Sequence, residues 1–127
     1  MKAREFLAWA AGFIDGDGCF SSSHSGGCVL QIGQSNPLPH PPSVLIRMEA
    51  GFGGSLVGPY YSTPNRMPQY SWSVQGFSRV QAILAAIWPW LGEVKRNQAL
   101  AVLNRDNQRR QIKRRGVMKI PIGNVEV

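Results

Sequence analysis

Two carboxylates, Asp15 and Asp17, alternate with glycines in the run Ile14-Asp15-Gly16-Asp17-Gly18. Upstream, Phe6, Leu7, Ala10, Phe13 and Ile14 recur at helical spacing, so residues 3–16 read as a helix with the acids at its C-terminal end. A helix presents the negative end of its dipole there, which disfavours a carboxylate. A bound divalent cation reverses that sign. Mg²⁺ suits such a site, because it commonly takes only one or two protein carboxylates and completes its shell with water and substrate phosphate. The competing reading is an Asx-Gly turn that holds no ligand, and the short motif alone leaves both open.

The elements that must position these acids follow from pattern. The same N-terminal helix carries Ala8, Gly12 and Gly16 at four-residue spacing on a second face. Glycine inside a helix costs about 1 kcal/mol against alanine, a cost that close approach of another helix offsets. Two copies packed along this face would bring their Asp17 carboxylates together on a two-fold axis. Metal ions held there can serve both strands of a duplex, stabilising the attacking water and the leaving oxygen of an in-line displacement.

Residues 18–23 and 28–34 read as strands around a Ser/Gly turn, the second alternating Cys28, Leu30 and Ile32 with Val29, Gln31 and Gly33. The proline-rich stretch from Asn36 to Pro42 excludes a helix interior or central strand, and a short helix is expected at Ser43 to Ala50. Two further strands, Ser55 to Tyr61 and Gln69 to Gln75, flank a loop holding Pro64, Asn65, Arg66 and Pro68. In the latter strand Tyr70, Trp72 and Val74 point inward and Gln69, Ser71 and Ser73 outward. Ser78 reads as the N-cap of a helix that Pro89 ends, and a last helix runs from about Lys95 to Arg115. Tyr61 and Trp90 are candidate core residues. The expected fold is α+β, one antiparallel sheet backed by helices. It forms a single domain over residues 1–115, with a C-terminal tail at 116–127.

Composition bounds the function. The chain has 127 residues with 43% hydrophobic and 17% charged, an ordinary globular balance. Its net charge of +7 points to a polyanion. No apolar run is long enough to span a membrane, and the N-terminus does not read as a signal peptide, so a soluble intracellular protein is expected. Cys19 and Cys28 can face each other across a hairpin, but two cysteines make no disulfide framework, and free thiols are expected. His24 and His40 lack zinc-ligand spacing with them.

The residues Ala10-Ala11-Gly12-Phe13-Ile14-Asp15-Gly16-Asp17-Gly18, flanked by Phe6-Leu7 and Cys19-Phe20, resemble the nine-residue signature of the LAGLIDADG homing endonucleases. The element order from about Phe6 to Arg110 is similar to that family's αββαββα domain, a sheet forming a DNA-binding saddle. With one motif the chain resembles the single-motif homodimeric branch. The resemblance implies a site-specific, Mg²⁺-dependent endonuclease (Mn²⁺ or Ca²⁺ being other candidate ions) that acts as a homodimer on a long, near-palindromic double-stranded DNA site. A bacterial or phage cytoplasm, or an organelle, is the implied setting.

Residue by residue, the resemblance implies that Asp17 is the catalytic metal ligand, Gly16 gives a carbonyl to the metal, and Asp15 is structural. Gln34 would order active-site water, and Lys95, in Lys95-Arg96-Asn97-Gln98-Ala99, would stabilise charge at the scissile phosphate. Ala8, Gly12 and Gly16 would form the dimer interface. DNA contacts would come from Ser21, Ser23, Gln31, Arg66, Gln69, Ser71 and Ser73, with Arg109 and Arg110 from the basic end of the last helix. Where such homodimers often carry an arginine soon after the glutamine, this chain has Pro37, Leu38, Pro39 and His40. An RNA maturase with intron RNA as partner, or a non-cleaving DNA-binding protein on the same scaffold, are the alternatives.

Overall fold

Side-chain alternation decides which side of a strand is dry, and in the computed structural model it is clearest over residues 69–75, where Tyr70, Trp72 and Val74 are buried between exposed or half-buried neighbours. The structure describes residues 2–64 and 66–119. The order is α1 (Ala3–Asp17), β1 (Gly18–Ser22), β2 (Cys28–Ser35), α2 (Ser43–Phe52), β3 (Ser55–Tyr60), β4 (Gln69–Gln75), α3 (Phe77–Ile87), a 3-10 turn (Trp88–Trp90) and α4 (Glu93–Lys119). The strands form one four-stranded antiparallel sheet in the order β1-β2-β4-β3. This is the expected α+β architecture.

Cross-strand register carries the alternation from strand to strand. Phe20, Leu30 and Val74 face one another in one row, and Ile32, Trp72 and Leu56 in the next. These side chains meet Ala10, Ala11 and Ile14 of α1, Leu45 and Met48 of α2, Val80 and Ile87 of α3, and Ala99 of α4 in a single core. The largest of them, Trp72, is fully buried, and its indole N–H donates to the Gly53 carbonyl at 2.8 Å, so no polar atom of the ring is stranded. Among the described residues the opposite side of the sheet carries no helix, and its side chains are exposed or half-buried except Val29.

Several expectations need correction. Ser78 is not the N-cap of α3; Gly76 is, at φ 108°, a conformation that favours glycine, so the helix starts earlier than the serine suggested. Tyr61 is 60% and Trp90 37% exposed, so neither is core. Tyr61 lies just past β3, and Trp90 sits in the 3-10 turn that Pro89 imposes. Cys19 pairs in register with Gln31 and Cys28 with Ser22, which puts the two thiols on opposite faces of the hairpin. Both cysteines are free, Cys19 exposed and Cys28 buried. The helix α4 continues past Arg115 to Lys119, so the expected tail begins inside it, and residues 120–127 lie outside the described part. No helix is long and apolar enough to cross a membrane among the described residues.

Candidate active site and nucleic-acid face

The helix α1 ends at Asp17, and the chain turns directly into β1 at Gly18. That abrupt exit leaves Asp17 exposed at the rim of the sheet. The neighbouring strand supplies a partner: Gln34 Nε2 donates to Asp17 Oδ2 at 3.0 Å. Gln34 lies opposite Tyr70 on the helix side of β2, at the end of the strand, where the sheet runs out beside α1. Asp17, Gly33, Gln34, Ser35 and Gln69 line an open hollow of about 420 Å³. Gly16, one residue back, is exposed, with nothing within 4 Å of the position a Cβ would take.

Asp15 does something different. Its Oδ1 accepts the backbone N–H of Gly92 at 3.1 Å, on the residue that precedes α4. The carboxylate that looked misplaced at the end of α1 therefore sits at the beginning of another helix, where the dipole favours it. Gly92 is a close-approach glycine: a Cβ there would lie 2.7 Å from Asp15 Oδ2.

A second tie joins the same elements. Gln98 Oε1, on α4, accepts the N–H of Phe20 at 3.1 Å. The strand β1 is an edge strand, so that N–H would otherwise lack a ladder partner. Lys95 is half-buried on the turn between Gly92 and Gln98, on the same side of α4 by its three-residue spacing from each. The two hydrogen bonds thus fix the helix that carries Lys95 against the segment that carries Asp17. Among the described residues Lys95 forms no salt bridge.

The divalent-metal expectation can be tested on donor chemistry. No group of three or more His, Cys, Asp or Glu side chains able to hold a metal occurs among the described residues, so one copy of the chain forms no all-protein cage. A single exposed carboxylate, an accessible backbone at Gly16 and an open hollow fit an ion that keeps most of its water and takes ligands from a phosphate. His40 turns toward its own loop: its Nδ1 lies 3.1 Å from the Pro41 carbonyl, and its carbonyl accepts Asn36 Nδ2 at 2.7 Å.

On the open face of the sheet, Gln31, Ser73 and Ser55 form one cross-strand row and Gly33, Ser71 and Val57 the next. Gln31 Nε2 donates to Ser71 Oγ at 2.9 Å, linking the rows diagonally. Gln69 is exposed opposite Ser35, and Ser21 is half-buried opposite Val29. Arg66 is exposed in the β3–β4 loop. Ser23 falls outside β1, contrary to expectation: its hydroxyl accepts the Gly27 N–H at 3.0 Å and meets Ser25 Oγ at 3.1 Å, so it builds the hairpin turn.

The two arginines expected to contact DNA also have internal partners. Arg109 pairs with Asp106 at 2.9 Å, and its aliphatic stem packs under Gly26 of the hairpin. Asp106 is 2% exposed and also accepts the Cys28 N–H at 3.1 Å. Burial pushes that carboxyl upward, but the Cys28 thiol, the Arg109 guanidinium and the Cys28 N–H outweigh it and hold it below the usual carboxylate range. The Cys28 thiol is pushed up to about 12, by burial first and by the adjacent Asp106 second. Arg110 lies over the Phe77 ring, 5.2 Å from its centroid, and remains exposed. Gln98, Gly92 and Asp106 carry structural weight that pattern did not single out. Asp106 had a visible signal, as the lone acid in a basic helix segment.

No family model matches the chain, and no curated protein does. Solved structures do. Two are of the homing endonuclease I-CvuI. One, in complex with its target in 2 mM Ca, has TM-score 0.57 and 26% identity, covering 80% of this chain and 65% of that one. The other, in complex with the I-CreI target in 2 mM Mg with the DNA not cleaved, has TM-score 0.55 and 27% identity, covering 77% and 63%. The fold is that of the homing endonucleases. A lysine-to-alanine mutant of I-SmaMI has the same fold, with TM-score 0.57 and 18% identity over 91% of this chain and 42% of that one. These neighbours are LAGLIDADG homing endonucleases, the family that residues 10–18 resemble. This chain spans 65% of the I-CvuI chain's length in the first of those comparisons.

Proposed function

We propose that two copies of this chain, packed along α1, cut double-stranded DNA by metal-dependent phosphodiester hydrolysis at a long, near-palindromic site. The observation that carries the reading is the Gln34–Asp17 hydrogen bond of 3.0 Å at the mouth of an open hollow. It supports an exposed carboxylate held in one orientation, free on its other lone pairs.

In this reading Asp17 and the Gly16 carbonyl hold Mg²⁺ or a similar divalent ion. Once bound, the ion supplies Lewis-acid stabilisation of a phosphate oxygen and lowers the pKa of a water. Gln34 fixes the Asp17 carboxylate with one amide hydrogen and offers its other polar atoms to a water. Lys95 donates hydrogen bonds to the charge that builds up on the phosphate, which is worth most where water is excluded. Asp15 and Gln98 hold Lys95 in register with Asp17 through α4.

Dimerisation is supported by the exposure of Gly12 and Gly16 and by the open space around both. Half-buried Ala8 lies on the same face, so a second α1 can approach closely along it. The open sheet face then lies in the major groove, which admits β-ribbons. At ~3.4 Å per residue the strand β2 is about 27 Å long, comparable to roughly eight base-pair steps. Two copies would therefore read a long site. Arg66, Arg110, Lys113 and Arg114 are exposed cations for phosphates.

A binding-only protein, for DNA or for an intron RNA, is the second reading. It is favoured by the segment after Gln34, where His40 is turned to the Pro41 carbonyl and no arginine stands. Incubation with a randomised duplex library in Mg²⁺ and in EDTA separates the two. Metal-dependent double-strand cuts are expected. Retained duplexes with no cut in any divalent ion would leave binding alone.

A further inference from the structure

The chain holds 14 lysines and arginines, yet none lies in a strand. The open face of the sheet is uncharged throughout: its outward positions carry serine, glutamine, glycine, valine, cysteine and tyrosine, and no acid or base. A cation that reads guanine from this surface is therefore missing. In the major groove guanine offers two acceptors, O6 and N7, to a bidentate donor such as arginine. Adenine offers a donor, N6–H, beside an acceptor, N7, which an amide complements.

The hydrogen bonding of Gln31 sharpens this. Its Nε2 already donates one hydrogen to Ser71 Oγ at 2.9 Å. That contact restrains the amide plane and leaves one N–H and Oε1 free on an exposed residue. The free pair is one donor and one acceptor, the complement of adenine. Against guanine it would set Oε1 facing O6, acceptor against acceptor. Beyond Ser71 in the neighbouring row, Val57 is 42% exposed on the same face, an apolar surface suited to a thymine methyl. Gln69 and Gln75 add two more exposed amides and no charge.

We infer that the sheet reads an A·T-rich half-site, with adenine opposite Gln31, while phosphate attraction is delegated to the loops and to α4. The inference rests on the proposal that the open face lies in a DNA major groove. It names the sequence class of the substrate, which that proposal does not.

The test is selection of bound duplexes from a random library with the full chain, in Ca²⁺ and in EDTA, repeated for Gln31→Arg. The expected outcome is enrichment of A·T pairs across each half-site. Gln31→Arg then moves one symmetry-related pair of positions from adenine to guanine, by roughly tenfold or more in selection, and leaves the rest unchanged. Gln31 is exposed, so the variant retains the fold, and the wild-type selection stands independently of it. Half-sites rich in G·C, or an unchanged preference in Gln31→Arg, would overturn the inference while leaving DNA recognition intact. A wild-type chain that retains no duplex would overturn it together with the DNA reading beneath it.

Discussion

The Gly92 N–H donates to Asp15 Oδ1 at 3.1 Å, joining the end of α1 to the start of α4. Two acids of one short motif therefore divide their work. Asp15 is engaged in the scaffold, whereas Asp17 stays exposed with the Gln34 amide as its partner. A Cβ on Gly92 would lie 2.7 Å from the Asp15 carboxylate, so Gly92→Ala must push the two helices apart or turn Asp15 away. Gly92→Ala and Asp15→Ala should each cost about 1 kcal/mol of stability, as other lost helix caps do. Cleavage should fall by more than about tenfold, because displacement of positioning groups by an ångström is catalytically expensive. Urea denaturation beside single-turnover cleavage measures both.

The small-residue face of α1 gives a test in which two signs oppose. Gly12 is exposed, and a Cβ there meets nothing within 4 Å, so a side chain directed outward has room within its own copy. Gly12→Leu should leave the isolated chain as stable as before, or more stable by up to about 1 kcal/mol from helix propensity. It should nonetheless block dimer formation and abolish double-strand cutting. Sedimentation velocity with thermal denaturation reads both effects. A dimer that survives Gly12→Leu would place the interface elsewhere.

Much of the fold was legible because alternation is local. The boundaries of β4 and the inward row Tyr70, Trp72 and Val74 follow from period two alone. The resemblance of residues 10–18 singled out Asp17 and Gln34, and the structure brings these two side chains together at 3.0 Å. The partners of Asp15 and Asp106 were not. Gly92 N–H lies 77 residues from Asp15, and the Cys28 N–H lies 78 residues from Asp106. Such long-range bonds answer to tertiary packing and leave no periodic trace. The packing of the Arg109 stem against the hairpin at Gly26 was equally hidden, although its pair with Asp106 spans a single helical turn.

Asp106 makes the fold acid-sensitive. Its folded carboxyl is held below the usual range, so its contribution is fully present above the unfolded carboxyl pKa. It is lost as pH falls through the lower, folded value. Asp106→Ala leaves the Cys28 N–H and the Arg109 guanidinium without their acceptor and should cost about 2–4 kcal/mol at neutral pH. Stability curves of the two proteins should converge on acidification. A constant difference down to strongly acid pH would remove the ionised carboxylate from the account.

The thiols should separate cleanly. Cys19 is exposed, whereas Cys28 is buried with its thiol pushed up to about 12. A thiol reagent at neutral pH should modify Cys19 promptly and Cys28 only on unfolding, since the thiolate is the reactive form. Mass spectrometry of the labelled chain counts the additions.

In the proposed reaction the Asp17 charge serves catalysis and not folding. Asp17→Asn keeps the side chain's shape and an oxygen to accept from Gln34, and exchanges the charge and one acceptor oxygen for a neutral NH2 donor. Cleavage of a selected duplex in Mg²⁺ by Asp17→Asn, measured beside duplex binding, is the most direct measurement. Unchanged folding, retained binding and a cleavage rate down by more than about a hundredfold are expected. Cutting by Asp17→Asn at the native rate would contradict this role of the charge.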